Sequence, residues 1–426
     1  MEYKLHTMPS GLKVVTVPMP GLESVTVTIW VRTGSRNEDL KVGGISHFLE
    51  HMVFKGSPKR PTARDISQAV DAIGGEFNAA TSKDWTNFYI KANKENLETA
   101  MDVLSDMVLS PLLDSAEIER EKGTIVQEIR MYEDTPMMHI GEVFEGLIFN
   151  GNPLGRDTAG TEKSVKSINR DDFVAYRKAH YHPKNMLVTV AGGVTEKTAL
   201  KLVSKYFDSL KPFKGSLFKG QAFKVTQKKP QVKLQTKKCE QAHLILGFTS
   251  EGRGYKNKFA QSLLSIILGA GMSSRLFIEV RERRGLAYSV RTSFDRYQDV
   301  GYIGTYAGVD VVKADEAIKV ILEQCYGIAS GGKYQISDGE LKKAKGFLKG
   351  NLALALEDTH DVSGFFGEQH LFLDKVLTPE EIYKKVDAVT IKDIIFEAKK
   401  LFVPERLNLA IIGPFKSEEK FIKLLQ

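Results

Sequence analysis

Two stretches of this 426-residue chain repeat one another, and the repetition limits the fold more than any other feature. Ser167–Val194 lies over Ala388–Phe415 without a gap, matching Asp172 to Asp393, Pro183 to Pro404 and Gly192 to Gly413. Near the start of each half, Ser24–Arg36 is similar to Gln241–Arg253. Two similarities in the same order point to duplication of one fold unit. The length also exceeds one ordinary core. We therefore expect one domain over 1–210 and a second over 231–426. Residues 211–230, where the composition shifts to Lys, Gly, Phe, Gln and Pro, would link them.

Within the first half, the apolar runs Leu12–Val17 and Ser24–Thr33 read as strands joined by a turn at Pro20-Gly21. Thr62 and Asp65 form a capping pattern for a helix that ends at Gly74-Gly75. A hairpin follows, Glu76–Thr81 and Trp85–Ala92, turning through Ser82-Lys83-Asp84. Helices are expected over about Lys94–Leu109 and from near Ser115, then from Ser167 to Tyr181, with a strand over Met186–Ala191 and a helix over Lys197–Phe207.

The stretch Gly44–Phe54 carries chemistry. On a helix, His47 and His51 lie about one turn apart and Glu50 shares their stripe, while Ile45, Phe48, Leu49, Met52, Val53 and Phe54 are apolar. Two imidazoles and a carboxylate on one helix suit a catalytic zinc site that takes a third ligand from elsewhere. His-x-x-Glu-His is the inverted zincin signature. The plain alternative is a helix with two satisfied histidines. Carrying the repeat forward sets Leu264, Ile267 and Leu268 opposite His47, Glu50 and His51, so the second half lacks such ligands. On the helix opening near Ser115, Glu121 and Glu128 fall on one face two turns apart, with Glu117 beside them. Stacked like charges repel, so something positive should lie opposite. Otherwise this is an exposed acidic helix with Arg120, Lys122 and Arg130 as local partners.

Composition narrows the partners. The formal charge is +7, yet the basic residues are spread, and the densest patch, Lys224–Lys238, has no interleaved aromatics, so no nucleic acid is expected. No run approaches a membrane span, and the first twenty residues carry Glu2 and Pro9 with no apolar signal region. Cys239 and Cys325 form neither a metal cluster nor a disulfide framework, so a cytoplasmic setting is expected.

His47-Phe48-Leu49-Glu50-His51, the Glu121 and Glu128 helix, and Arg281-Glu282-Arg283-Arg284-Gly285-Leu286-Ala287-Tyr288 together give the chain a family likeness. It resembles the pitrilysin family of zinc peptidases, in particular the shorter members that look like the catalytic subunit of mitochondrial processing peptidase. The resemblance implies an α+β fold of two homologous α/β-sandwich domains, each a mixed, mostly antiparallel sheet packed with helices and facing the other around a chamber. It implies one Zn²⁺ per chain on His47, His51 and Glu128, with Glu50 as general base and Glu121 orienting a histidine. It further implies that Arg281, ending a helix over about Arg275–Arg284, and Tyr288, on the strand after Gly285, bind substrate carbonyls. Asn78, Ala79 and Ala80 would lie on an edge strand that receives an extended peptide, although a simple hairpin strand remains the other reading. Both residue sets occur on one chain, so a homodimeric endopeptidase is expected, the alternative being a non-catalytic scaffold subunit.

Overall fold

The computed structural model describes residues 1–215, 218 and 220–426, which form two compact units. The first contains β1 (Lys4–Thr7), β2 (Lys13–Pro18), β3 (Ser24–Val31), β4 (Glu76–Thr81), β5 (Thr86–Asn93) and β6 (Met186–Gly192) in the order β1-β2-β6-β3-β5-β4. The second contains β7 (Gln231–Thr236), β8 (Gln241–Glu251), β9 (Ala287–Arg296), β10 (Val300–Asp310) and β11 (Leu407–Gly413) in the order β7-β11-β8-β10-β9. Without the β1 hairpin strand, the two orders are the same. In each sheet one pair is parallel, β2 with β6 and β7 with β11, and the rest are antiparallel.

The duplication read from sequence extends to the register. Arg170–His180 and Ile391–Leu401 are helices closed by the same capping box, Asn169 with Asp172 and Thr390 with Asp393. Each runs through a proline turn at Pro183 or Pro404 into a fully buried strand, β6 or β11. Met186 pairs with Val31 as Leu407 pairs with Phe248. The metal-type helix has a counterpart too. Lys258–Ser265, which buries Leu264, continues into a π-helical turn, Ile266–Ala270, which buries Ile267 and Leu268. Aliphatic side chains thus occupy the places of His47, Glu50 and His51.

The units do not follow the expected cut at 211–230. The first comprises 1–130, 156–221 and 353–379, and the second 131–155, 222–352 and 380–426. Each sheet is covered on one face by a helix from the opposite half of the sequence. Along β3, Val25, Val27, Ile29 and Val31 join the apolar core that contains Phe48, Met52 and Leu104. Thr26 and Thr28 alternate with them and bond Thr359 at 2.8 Å and Ser363 at 2.7 Å on the helix Thr359–Phe372. Gly367 is required there, because a Cβ would sit 2.5 Å from the Trp30 indole nitrogen. In the second unit the helix Pro136–Ile148 packs Ile140, Phe144 and Ile148 on Val300, Tyr302, Ala410 and Ile412. Residues 211–230 carry neither helix nor strand among those described.

Candidate metal centre

The helix Ile45–Val53 sets the first two side chains. Ile45, Phe48, Leu49, Met52 and Val53 are fully buried and fix its roll, so His47, Glu50 and His51 share the remaining face. Its entry is equally constrained. Gly44 has φ 92°, and a Cβ on it would lie 2.4 Å from the Ala159 carbonyl oxygen, so glycine is needed at that position. Glu38, buried, caps the helix by accepting from Gly44 N–H at 2.7 Å and Ser46 N–H at 2.8 Å. Burial pushes its carboxyl up to about 7 against the pull of those bonds. Ser46 and Thr33 both bond the buried Tyr176 hydroxyl, which ties the helix start to the helix Arg170–His180.

The third side chain comes from the helix Ser115–Asp134. Glu128 Oε1 lies 3.6 Å from His47 Nε2, Glu128 Oε2 lies 3.5 Å from His51 Nε2, and the two Nε2 atoms are 3.3 Å apart. Four ligands at about 2.0–2.2 Å around a tetrahedral ion are separated by roughly 3.3–3.6 Å, and each of these contacts has the length of such a ligand–ligand edge, the two to Glu128 running to its two different oxygens. Among the described residues, His47, His51 and Glu128 form a group placed to hold a metal ion.

One heptad earlier, Glu121 is buried and supports His51: its Oε1 lies 2.9 Å from His51 Nδ1 and its Oε2 2.5 Å from Lys55 Nζ. A positive charge expected opposite the acidic face is therefore supplied by Lys55. Of the local partners considered from sequence, Arg120 pairs with Glu117, Lys122 with Glu119, and Arg130 instead reaches Glu162. The carboxylates at the centre favour positive charge beside them. Burial pulls the His47 imidazole down, but Glu128, Glu50 and Asp157 outweigh it and its pKa is raised. His47 holds the Glu128 carboxyl below its usual range despite burial. Burial pushes Glu121 up, yet His51 and Lys55 prevail and lower it. The histidine Nδ1 atoms differ, since that of His47 is buried without a hydrogen-bond partner among the described residues.

Glu50 lies outside the ligand triangle, and its Oε2 accepts from the Thr81 hydroxyl at 2.5 Å. Sequence reading passed over Thr81. The signal was present in the alternation of β4, where Phe77, Ala79 and Thr81 face inward and Glu76, Asn78 and Ala80 are exposed. Asn78, Ala79 and Ala80 do lie on an edge strand, paired on one side with β5 alone, but Ala79 points to the core and the other two to solvent. In the second unit, Arg281 lies in the last turn of the π-helical segment Phe277–Arg283, over the rings of Phe277 at 4.8 Å and Tyr288 at 5.1 Å. Tyr288, on the edge strand β9, is 76% exposed, far beyond what a core tyrosine shows.

A duplicated mixed sheet carrying a two-histidine, one-glutamate cluster with an adjacent glutamate defines the class of inverted zincin-type proteins. Residues 13–162 match insulinase, peptidase family M16, and 167–348 match the peptidase M16 inactive domain. The chain belongs to peptidase family M16. It is 35% identical to an uncharacterized zinc protease of Mycobacterium leprae, over 99% of this chain and 94% of that one. It is 36% identical to the uncharacterized zinc protease YmxG of Bacillus subtilis, over 96% and 98% of the two chains. Its fold matches a protease from Helicobacter pylori with a TM-score of 0.91 at 24% identity, over 97% of this chain and all of that one. A protein described as the peptidase M16 inactive domain from Pseudomonas fluorescens matches with a TM-score of 0.89 at 19% identity, over 98% and 99%. The absence of ligands at Leu264, Ile267 and Leu268 accords with the inactive-domain description of the second half. Among the described residues, no helix is long and apolar enough to cross a membrane.

Proposed function

We propose that this chain is a zinc-dependent endopeptidase acting on peptides or short unstructured polypeptides, and that His47, His51 and Glu128 hold one zinc ion per chain. The single observation that carries this reading is the convergence of the three side chains, with the His47 and His51 Nε2 atoms 3.3 Å apart and each within 3.6 Å of a Glu128 oxygen. Zinc held there would polarise a peptide carbonyl and bring the pKa of a water down to about 7. Glu50, one position before His51, accepts the proton of the attacking water and returns it to the leaving amine. Glu121 fixes the His51 ring so that Nε2 faces the cluster, and Lys55 keeps Glu121 ionised. Asn78, Ala79 and Ala80 belong to the free edge to which a peptide adds as a strand. The exposed Tyr288 and the half-buried Arg281 over its ring bind substrate carbonyls and support the developing oxyanion.

A non-catalytic scaffold is the second reading, supported by the inactive-domain match over 167–348. The intact cluster in the other half favours the enzyme. With both residue sets on one chain, we further propose a homodimer. The unpaired Cys239 and Cys325 support a reducing, cytoplasmic setting. The purified protein is expected to contain about one zinc per chain, to migrate as a dimer, and to cleave an unstructured peptide until a chelator is added and again when zinc is restored. In the same assay Arg281→Ala or Tyr288→Phe lowers turnover with zinc retained. Stoichiometric zinc with no cleavage of any peptide in a diverse pool would favour the scaffold.

A further inference from the structure

Glu50 can move a proton only if its carboxylate is held in one orientation, and its own helix does not hold it. The side chain carries several rotatable bonds, and a general base must stay within about 2.6–3.2 Å of the proton it takes. In this structure the group that restrains it is the Thr81 hydroxyl, which donates to Oε2 at 2.5 Å. We propose that Thr81 is a positioning residue for the general base, and that through it the edge strand β4 sets the reactive orientation of Glu50. This inference rests on the peptidase reading above.

Three observations support it. First, Thr81 is itself rigid. The turn after it is closed by Ser82 N–H to the Trp85 carbonyl at 2.8 Å, and Ser35 and Arg36 N–H donate to the Ser82 and Lys83 carbonyls at 3.1 Å each. Beneath that turn Arg36 and Asp84 form a buried ion pair at 2.8 Å. The close approach depends on Gly34, where a Cβ would lie 2.1 Å from the Ser82 carbonyl oxygen. Second, one oxygen of Glu50 is bound by Thr81, and a carboxylate has a second that can accept the proton. A donor on one oxygen sets the plane of the carboxylate without occupying both. Third, Thr81 ends the strand whose free edge is proposed to receive the peptide. The donor that holds the base and the edge that would dock the peptide therefore belong to one element.

The test compares Thr81→Val, which keeps the shape and removes the hydroxyl, with Thr81→Ser, which keeps the hydroxyl and removes a methyl group. Both are assayed as zinc-loaded full chains for metal content, melting temperature, kcat and KM on one unstructured peptide. Thr81→Val is expected to hold parental zinc and lose about 10- to 100-fold in kcat with KM within about twofold, the size set by one hydrogen bond to a charged group. Thr81→Ser is expected to recover kcat to within about threefold. Parental kcat in Thr81→Val would overturn the proposal, as would equal impairment of the two variants, which indicates packing alone. A change confined to KM would also overturn it, assigning Thr81 to peptide binding. If the parent shows no zinc-dependent cleavage, the peptidase reading itself has failed and this inference falls with it.

Discussion

Glu50→Gln retains zinc at parental occupancy and loses about three orders of magnitude in kcat on an unstructured peptide, the range that removal of a general base produces. The substitution keeps the size of the side chain, and the amide oxygen can still accept from Thr81. It removes only the capacity to take and return a proton. Glu50 is outside the group formed by His47, His51 and Glu128, so the metal content should not change. Metal analysis beside a progress curve checks both halves of the expectation. A Gln variant that cleaves at the parental rate places the base elsewhere, and one that loses zinc places Glu50 among the ligands.

Much of the fold was legible because the signals were local. Thr62 with Asp65, Asn169 with Asp172 and Thr390 with Asp393 are capping boxes whose partners sit three residues apart, and all three form. The repeat around Pro183 and Pro404 was readable for the same reason, since helix, turn and buried strand follow in one unbroken stretch. What was not legible is which sheet a helix covers. Ile140, Phe144 and Ile148 give Pro136–Ile148 an apolar face, whereas Thr359–Phe372 buries Thr359, Ser363 and Gly367 beside Val362, Phe366 and Leu371, and periodicity names at most a face and never its partner. Here each helix lies on a sheet built mainly from the other half of the sequence.

The candidate site divides along the same line. His47, Glu50 and His51 share one helix, and Glu121 and Glu128 another, so spacing alone put each set on one face. That Lys55 would sit 2.5 Å from Glu121, or Thr81 2.5 Å from Glu50, depends on how separate elements pack. Thr81 was within reach nonetheless, because a period of two from Phe77 and Ala79 places it on the inward face. Glu38 gave no comparable signal. Its carboxylate crosses a turn to cap a helix whose own first residues, Ile45 and Ser46, follow a left-handed glycine.

Glu128→Ala abolishes zinc binding and cleavage together, and Glu121→Gln weakens zinc without abolishing it. The two carboxylates are one heptad apart on the same helix, and geometry separates their roles. Glu128 brings one oxygen near each Nε2 atom, whereas of the two imidazoles Glu121 reaches only the far nitrogen of His51. Losing Glu128 leaves two imidazoles, which are too few for a tetrahedral site with an open position. Losing the charge of Glu121 leaves the ligand set whole but replaces the carboxylate that orients His51 with a weaker, neutral amide acceptor, a change that costs about 10- to 100-fold in metal affinity. Thermal melts with added zinc read the difference without any activity assay. At a free zinc concentration of about 100 times Kd, the ion stabilises the parent by about 2.7 kcal/mol. Glu128→Ala should show no zinc-dependent shift, while Glu121→Gln should show the parental shift at about 10- to 100-fold higher zinc. Full zinc stabilisation of Glu128→Ala would remove this carboxylate from the ligand set, and equal loss in both variants would mean that Glu121 binds the ion as directly as Glu128 does.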